Sequence, residues 1–202
     1  QQLISPEYAK LRRQQIDMQR AKPSTEVKPI DQETLQKFSQ SLPSRLISAT
    51  RNPNINYPKY YESTETSHLT VIDEQRNAVS LTFTVNLGFG AGIVTPGTGI
   101  VLNNEMDDFA AAPGVPNAFG LLGNEANSIA PRKTPLSSMT PTIITENGRL
   151  RMAVGTPGGS TIITQVLQII LNVLEYDMNA AAAVSASRIH HQWFPDTLRV
   201  EP

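Results

Sequence analysis

No cysteine occurs among the 202 residues, and neither sign of charge is in excess. The missing thiols exclude disulfides, thiol catalysis and cysteine-ligated metals, and they leave the redox compartment open. Lys and Arg number 17 against 18 Asp and Glu, so no net field recruits nucleic acid or an anionic membrane. The longest apolar run, residues 166–174, is too short to span a bilayer. The composition therefore predicts neither a nucleic-acid partner nor a membrane span.

The first 65 residues carry weak structural signals. Residues 5–7, Ser-Pro-Glu, predict the start of a helix that runs to about Gln19. A second short helix is expected after Asp31, where apolar residues recur at near-helical spacing. Prolines, asparagines and tyrosines in residues 44–65 predict an irregular extended segment. This segment is either a plain linker or an arm that leads to a cleavage point before Thr66.

A strongly β pattern begins at Thr66. Residues 69–72 predict one strand, residues 73–77 a polar turn, and residues 78–86 a second strand in which apolar and hydroxyl side chains alternate. Antiparallel pairing would return Thr84 and Asn86 to the level of Thr66, so three polar side chains would converge. The alternative is a half-exposed hairpin with a hydrated hydroxyl face, and the strand pattern alone favours this alternative.

Residues 103–108, Asn-Asn-Glu-Met-Asp-Asp, form a dense acidic cluster in a chain of modest charge. The cluster lacks the spacing of a calcium loop. Its carboxylates would suit the ammonium group of a substrate, because charged hydrogen bonds are strong in a dry site. A role in a turn or a helix cap is the simplest alternative.

The following segment, 110–132, is apolar but is interrupted by prolines and glycines, which predicts a long loop of the kind that covers a site. Ser137 and Ser138 then place two hydroxyls side by side. Residues 142–145 and 150–154 predict a hairpin that turns through Asn147 and Gly148.

A glycine pair, Gly158 and Gly159, precedes a predicted buried helix. Its broad apolar stripe consists of Ile162, Ile163, Val166, Leu167, Ile170, Leu171 and Leu174. Backbone N–H groups at such a helix start suit an oxyanion or a phosphate. No lysine follows the glycines, so a nucleotide-binding P-loop is a poor fit.

Near the C-terminal end, Asn179 is expected to cap an alanine-rich helix that ends near His190. His190 and His191 are adjacent, and adjacent residues rarely share a face. A structural role is therefore favoured over metal binding for this pair.

Several of these segments together resemble the γ-glutamyltransferase (glutathione hydrolase) family. The resemblance covers nearly the whole chain and rests on TSHLTVID, LNNEMDDF, PLSSM, GTPGGS and HHQWFP, with PEYAKLRRQQ and AKPSTEVKP before them. It implies an α+β N-terminal-nucleophile hydrolase with a four-layer αββα sandwich, here incomplete. Residues 1–65 would be the C-terminal part of the large-subunit equivalent with its linker. Residues 66–202 would be the small-subunit equivalent, truncated at its C-terminal end.

The resemblance also implies roles for individual residues. Self-cleavage would fall between Glu65 and Thr66, and Thr66 would become the nucleophile. Residues 113–127 resemble the family's lid, with Phe119 where a tyrosine commonly forms a latch through its hydroxyl, so a looser lid is expected. The remaining implied roles are orientation of the nucleophile by Thr84, oxyanion binding by Gly158 and Gly159, binding of the substrate α-amino group by Asn86, Glu105 and Asp108, and binding of its α-carboxylate by Ser137 and Ser138.

The activity implied is attack on glutathione and other γ-glutamyl compounds, with the acyl group passed to water, an amino acid or a dipeptide. No cofactor or metal is expected. The remaining large-subunit segment, which should supply an arginine for the substrate carboxylate, is an expected partner, and the location implied is periplasmic or extracellular. Two alternatives remain: a catalytically incompetent fragment or homologue with a binding or structural role, and an acylase with a different acyl group.

Overall fold

The computed structural model describes residues 6–28, 65–112 and 114–201. It contains both helices and strands, as an α+β chain should. The chain divides into two units, Gln1–Asn54 and Ile55–Pro202. The helix predicted after Asp31 lies outside the described residues, as does the extended segment predicted for residues 44–65 except for its last residue.

In the first unit, helix α1 spans Pro6–Gln14 and ends about five residues earlier than predicted. The backbone tightens at its end, because Gln15 N–H donates to the Arg12 carbonyl at 3.0 Å. The Asp17 carboxylate then accepts a 2.8 Å bond from Gln19 N–H. An aspartate that binds the backbone two residues ahead offers an alternative to the helical bond. A short 3-10 turn follows at Ser24–Glu26.

In the second unit, strands β1 (Ser67–Ile72) and β2 (Ala78–Phe83) form an antiparallel hairpin. The prediction that β2 continues to Asn86 is wrong. Asn86 has a φ of 76°, and its N–H donates to the Thr84 hydroxyl at 2.9 Å. This local side-chain bond turns the chain out of the strand.

The hydroxyl face of this hairpin points inward, so the interpretation of a hydrated hydroxyl face is wrong. Thr82 is 7% exposed, whereas Val79 and Leu81 on the opposite face are 54% and 45% exposed. The inward hydroxyls have partners: Thr82 bonds the His68 ring, and Ser80 donates to the Val154 carbonyl at 3.1 Å. Buried hydroxyls are tolerated when such bonds satisfy them.

Strands β3 (Thr142–Glu146) and β4 (Arg149–Val154) form the second predicted hairpin, with a register shift after Ile144. Asn147 and Gly148 have φ values of 51° and 75°, as an Asn-Gly hairpin turn requires. This prediction is confirmed.

Helix α2 spans Ile162–Leu174 and buries only one side. Ile162 and Val166 are each 1% exposed, but Ile163 and Leu167 are 55% and 53% exposed. The prediction of a buried helix is therefore wrong for Ile163 and Leu167, which belong to the predicted apolar stripe but are exposed. The buried side packs into a core with Val154, Ile169 and Ala183.

Helix α3 spans Ala180–Ser185, and the Asn179 side chain caps it as predicted by accepting from Ala182 N–H. It ends well before His190, contrary to expectation. His190 lies instead in β5 (Ile189–His190), which pairs with β6 (Arg199–Val200). The Arg188 side chain donates to the Val184 carbonyl, and its backbone N–H donates to the Glu201 carboxylate, which directs the chain from α3 into this pairing.

Candidate functional site

A cavity of about 150 Å³ opens in the second unit beside the start of β1. Segments far apart in the chain form its wall: the two ends of the first hairpin, the acidic cluster, the lid loop, the serine pair and the glycine turn. Among the predicted site residues, its lining includes Thr66, Thr84, Asn86, Asp108, Phe119, Ser138 and Gly159. Glu65, Glu105, Ser137 and Gly158 are not part of this lining.

Thr66 lies immediately before β1 and is 7% exposed. Its hydroxyl donates to the Thr84 hydroxyl across 3.1 Å. The pairing of Ser67 with Phe83 places these two threonines opposite each other at the end of the hairpin. The hairpin register thus brings a hydroxyl and its hydrogen-bond acceptor together in the cavity wall.

The acidic cluster folds as a 3-10 turn, Glu105–Asp108. Asp108 is 7% exposed, and Ser138 donates its hydroxyl proton to Asp108 Oδ2 at 3.1 Å. Burial, followed by the hydrogen bond and the negative charge of Asp108, raises the pKa of Glu105 to about 7. The negative charge of Asp108, which helps to raise this pKa, would also attract a cationic ligand.

The two adjacent serines occupy different environments. Ser138 is half-buried and lines the cavity, where it bonds Asp108. Ser137 is exposed, and its hydroxyl donates to the Met139 carbonyl at 3.1 Å. The structure therefore brings Ser138, but not Ser137, to the cavity.

The glycine turn has a backbone that other residues rarely adopt. Gly158 has a φ of 136° and Gly159 a φ of 57°. A Cβ at Gly158 would lie 2.6 Å from the Thr161 hydroxyl, which itself donates to the Gly158 carbonyl. Gly159 is buried in the cavity wall, at the start of the 3-10 turn that leads into α2. Helix-start N–H groups lack intrahelical acceptors, so they can serve a ligand.

The turn at residues 117–121, within the loop predicted to be a lid, is held by two side chains, and the sequence analysis assigned no role to one of them, Asn117. Asn117 accepts from Phe119 N–H at 3.0 Å and from Leu121 N–H at 2.9 Å, while Asp107 accepts from Ala118 N–H at 3.1 Å. Phe119 itself is 5% exposed. An asparagine two residues before the N–H that it binds is a recognisable turn signal, which could have identified Asn117.

His68 is a second residue to which the sequence analysis assigned no role. Its ring bonds the Thr82 and Thr70 hydroxyls at 2.8 and 3.0 Å, and burial lowers its pKa. A Cβ at Gly155 would overlap this ring. His68 therefore fills the space between the strand that follows Thr66 and the segment that leads to the glycine turn.

The histidine pair has two separate sets of contacts. His190 is buried and bonds the Thr164 hydroxyl at 2.8 Å, whereas His191 bonds the Asp196 carboxylate at 3.0 Å. Among residues 6–28, 65–112 and 114–201, no group of three or more His, Asp and Glu side chains is placed to hold a metal ion. Within the same ranges, no helix is long and apolar enough to cross a membrane.

Comparison with known proteins gives a consistent result. The Gamma-glutamyltranspeptidase family model matches residues 1–202. The chain is 46% identical over 201 residues to the glutathione hydrolase proenzyme of Escherichia coli (strain K12), covering 100% of this chain and 30% of that protein. It is 50% identical over 141 residues to the glutathione hydrolase proenzyme of Pseudomonas sp. (strain A14), covering 70% of this chain and 24% of that protein.

Solved structures agree with these matches. A γ-glutamyltranspeptidase mutant from Helicobacter pylori aligns with a TM-score of 0.65 at 53% identity, over 67% of this chain and 73% of that chain. The enzyme from Pseudomonas nitroreducens complexed with L-DON aligns with a TM-score of 0.63 at 48% identity, over 65% of this chain and 68% of that chain. The chain thus spans less than a third of the length of the two proenzymes. It belongs to the γ-glutamyltranspeptidase family.

Proposed function

We propose that the protein carrying this chain is a γ-glutamyltransferase and glutathione hydrolase that matures by cutting itself between Glu65 and Thr66. The observation that carries the proposal is the pairing of the Thr66 and Thr84 hydroxyls in the wall of a cavity that also contains the buried Asp108 carboxylate. The relatives named as glutathione hydrolase proenzymes support both the substrate and the maturation.

Cleavage before Thr66 supplies the base that the reaction needs. A threonine hydroxyl is a weak nucleophile until a neighbouring base takes its proton. In the uncut chain the Thr66 nitrogen belongs to a peptide bond and is not basic. Cleavage converts it to an α-amino group with an ordinary pKa of about 7.7–8.0, which is available near neutral pH. Thr84 orients the Thr66 hydroxyl through their hydrogen bond.

The Thr66 oxygen then attacks the γ-carbonyl carbon of the substrate, and the C–N bond of the amide breaks. The leaving amine takes a proton from the ammonium group formed on Thr66. Backbone N–H groups of Gly158 and Gly159 hold the oxyanion of the tetrahedral intermediate. Loss of one such donor typically lowers the rate about 10²–10³-fold. Water, an amino acid or a dipeptide completes the cycle by accepting the γ-glutamyl group.

The glutamyl end of the substrate is a zwitterion, and the cavity contains groups suited to both of its charges. Asp108, with Glu105 and Asn86, receives the α-ammonium group. Ser138 receives the α-carboxylate once its hydroxyl proton turns away from Asp108, whose oxygen then accepts from the substrate ammonium group. Ser137 joins it once that side chain leaves its local bond to Met139. An acylase with an uncharged acyl group has no use for a buried carboxylate in its pocket, since burying a charge is costly. Asp108 therefore favours the γ-glutamyl substrate.

The wider assembly belongs to the same proposal. Residues 1–65 are the end of the large-subunit equivalent and 66–202 belong to the small-subunit equivalent, within a four-layer αββα sandwich. The rest of the large subunit is the partner that completes the site. Export to the periplasm or the cell exterior stays a prediction.

The test is the intact mass of the full-length protein after incubation near neutral pH. We expect two pieces, the second beginning at Thr66, and turnover of a γ-glutamyl anilide by the cut protein. Thr66→Ala should stay whole and inactive, whereas Ser67→Ala, one residue along and exposed, should still cut. A Thr66→Ala protein that matures and turns over substrate normally would refute the proposal.

A further inference from the structure

The side chain of Gln192 makes four hydrogen bonds to three separate parts of the second unit. Its Nε2 donates to the Phe119 carbonyl in the lid at 3.2 Å and to the Phe194 carbonyl at 3.0 Å. Its Oε1 accepts from the Ser160 hydroxyl at 2.7 Å and bonds His190 Nε2 at 3.0 Å. A glutamine amide offers two donors and two acceptor positions, so the full capacity of this side chain is used.

These partners fix the orientation of the amide. If the amide were turned over, its oxygen would face two backbone carbonyls, which also only accept. In this orientation the Gln192 oxygen can only accept, so His190 Nε2 donates to it across 3.0 Å. Gln192 therefore presents its donors specifically to Phe119 and Phe194.

The contact with the lid is close. A Cβ at Gly120 would lie 3.8 Å from Gln192 Nε2 and 3.8 Å from Pro195 Cδ, so the turn of the lid packs directly on residues 192–195. Gly120 has a φ of 74°, which glycine adopts readily. The lid is thus held through the backbone carbonyl of Phe119. The side chain of this residue has no hydroxyl and cannot form a hydrogen bond itself.

The other end of the link reaches the glycine turn. Ser160 directly follows Gly159, and both residues line the cavity beside Thr66. Ser160 donates the shortest of the bonds to Gln192, at 2.7 Å. One amide group therefore joins the turn proposed to bind the oxyanion to the loop that closes over the substrate.

We propose that Gln192 is a positioning residue, which latches the lid backbone at Phe119 to the glycine turn at Ser160. The inference rests on the proposed function, since it assigns the latch to that same site. A latched lid retains the glutamyl group and slows its escape, so loss of the latch weakens substrate binding more than it slows the chemical step.

The test compares Gln192→Met with Gln168→Met in the full-length protein. Gln168 is a matched control, because its amide also joins separate segments, the Thr164 and Ile189 carbonyls, yet makes no bond to the lid. Two readouts are taken: hydrogen exchange of the lid peptide 115–122, and KM and kcat for a γ-glutamyl anilide on protein titrated for active sites.

For Gln192→Met we expect lid exchange and KM each to rise about tenfold, with kcat changed less than about threefold. Gln168→Met should leave both at the wild-type values. Ser160→Ala should raise KM in the same direction by a smaller factor. The double variant with Gln192→Met should be no worse than Gln192→Met alone, because both changes break one link.

Unchanged lid exchange and KM in Gln192→Met would overturn the inference, and so would an equal rise in Gln168→Met. If Gln192→Met fails to fold, Gln192→Glu repeats the test, since it keeps the length and the acceptors but loses the donors to Phe119; unchanged exchange there also overturns it. Wild-type protein without γ-glutamyl turnover defeats the proposed function alone, because lid exchange is measured without substrate.

Discussion

The hydroxyl of Thr66 donates to the hydroxyl of Thr84, 18 residues further along the chain, across 3.1 Å. Thr84 accepts a second bond from Asn86 N–H at 2.9 Å. The Thr84 oxygen is thus held from one side by the backbone and holds Thr66 on the other. This arrangement restricts the direction of the Thr66 hydroxyl before any substrate arrives.

Removing the Thr84 hydroxyl should therefore misplace Thr66, the proposed nucleophile. We expect Thr84→Ala to lower kcat about 10²-fold, the order of loss that a misaligned reacting group causes. Self-cleavage, followed by intact mass, should slow as well. Thr84→Ser keeps the hydroxyl and should retain activity within about tenfold. Equal kcat values for Thr84→Ala and the wild type would contradict this role.

The meeting of Thr66 and Thr84 was accessible from the sequence, because alternation and a short polar turn fix the register of a hairpin. The sequence did not indicate that the hydroxyl face of this hairpin is buried. The partner of Ser80 is the Val154 carbonyl, 74 residues away, on a strand that local pattern cannot place beside β2. The apolar face of the hairpin, with Leu81 45% exposed, stays open among the described residues.

The pKa of Glu105 near 7 predicts a pH dependence of ligand binding. Below pH 7 the group gains a proton and loses the negative charge that attracts an ammonium group. The inhibition constant of L-glutamate should therefore rise as the pH falls from 8 to 6, by at most about tenfold per unit. Glu105→Gln should flatten this profile. A profile that is equally steep in both proteins would contradict the assignment.

The raised pKa of Glu105 also makes the stability of the protein depend on pH. Between pH 4.5 and about 7 the folded protein holds a proton that the unfolded chain releases, so the contribution of Glu105 to stability falls as the pH rises through this window. Above pH 7, Glu105→Gln should therefore melt at a higher temperature than the wild type. Below pH 4.5 the difference should disappear. These melting temperatures serve as the control for the binding measurement.

The serine pair should respond unequally to substitution. Ser138 faces the cavity and bonds Asp108, whereas the Ser137 hydroxyl bonds the nearby Met139 carbonyl. We expect Ser138→Ala to raise KM for a γ-glutamyl anilide about tenfold or more, since it removes a proposed substrate contact and a partner of the buried Asp108 side chain. Ser137→Ala should raise KM by a smaller factor. A larger effect at Ser137 than at Ser138 would contradict this assignment.

The lid offers a direct comparison at Phe119. Phe119→Tyr adds a hydroxyl that can form the latch expected in related lids, and we expect it to slow exchange of a bound inhibitor. The measurement is the return of activity after dilution from the inhibitor. Phe119 is 5% exposed, so folding of the variant must be checked by its melting temperature. An unchanged exchange rate in a folded variant would contradict the prediction.

The sequence motifs suggested roles for several residues, but they did not indicate the contacts of Gln192. The segment HHQWFP was noticed for its two histidines, which have separate structural contacts. Gln192, which follows the two histidines, joins Phe119 to Ser160. These partners lie 73 and 32 residues before Gln192 in the chain. Such a link depends on how three loops pack, and no local period or turn signal encodes it.

Gly155 should be intolerant of any side chain, because a Cβ there would overlap the His68 ring. The ring cannot move without breaking its bonds to Thr82 and Thr70. We expect Gly155→Ala to destabilise the protein by about 1–3 kcal/mol, the usual range for overpacking, measured by urea unfolding. Gly88→Ala is the control, since its Cβ would meet only the Glu65 carboxylate at an ordinary 3.6 Å.

A second substitution, at His68, can show whether Gly155→Ala destabilises the protein through overlap with the ring or through a general backbone effect. His68→Ala removes the ring and opens the space that the methyl group added by Gly155→Ala needs, so the loss of stability in the double variant should be smaller than the sum of the two single losses. Purely additive losses would show that Gly155 is required for another reason. A loss smaller than the sum would show that the added methyl group and the His68 ring compete for the same space. The ring would then set the distance between β1 and the segment that leads to the glycine turn.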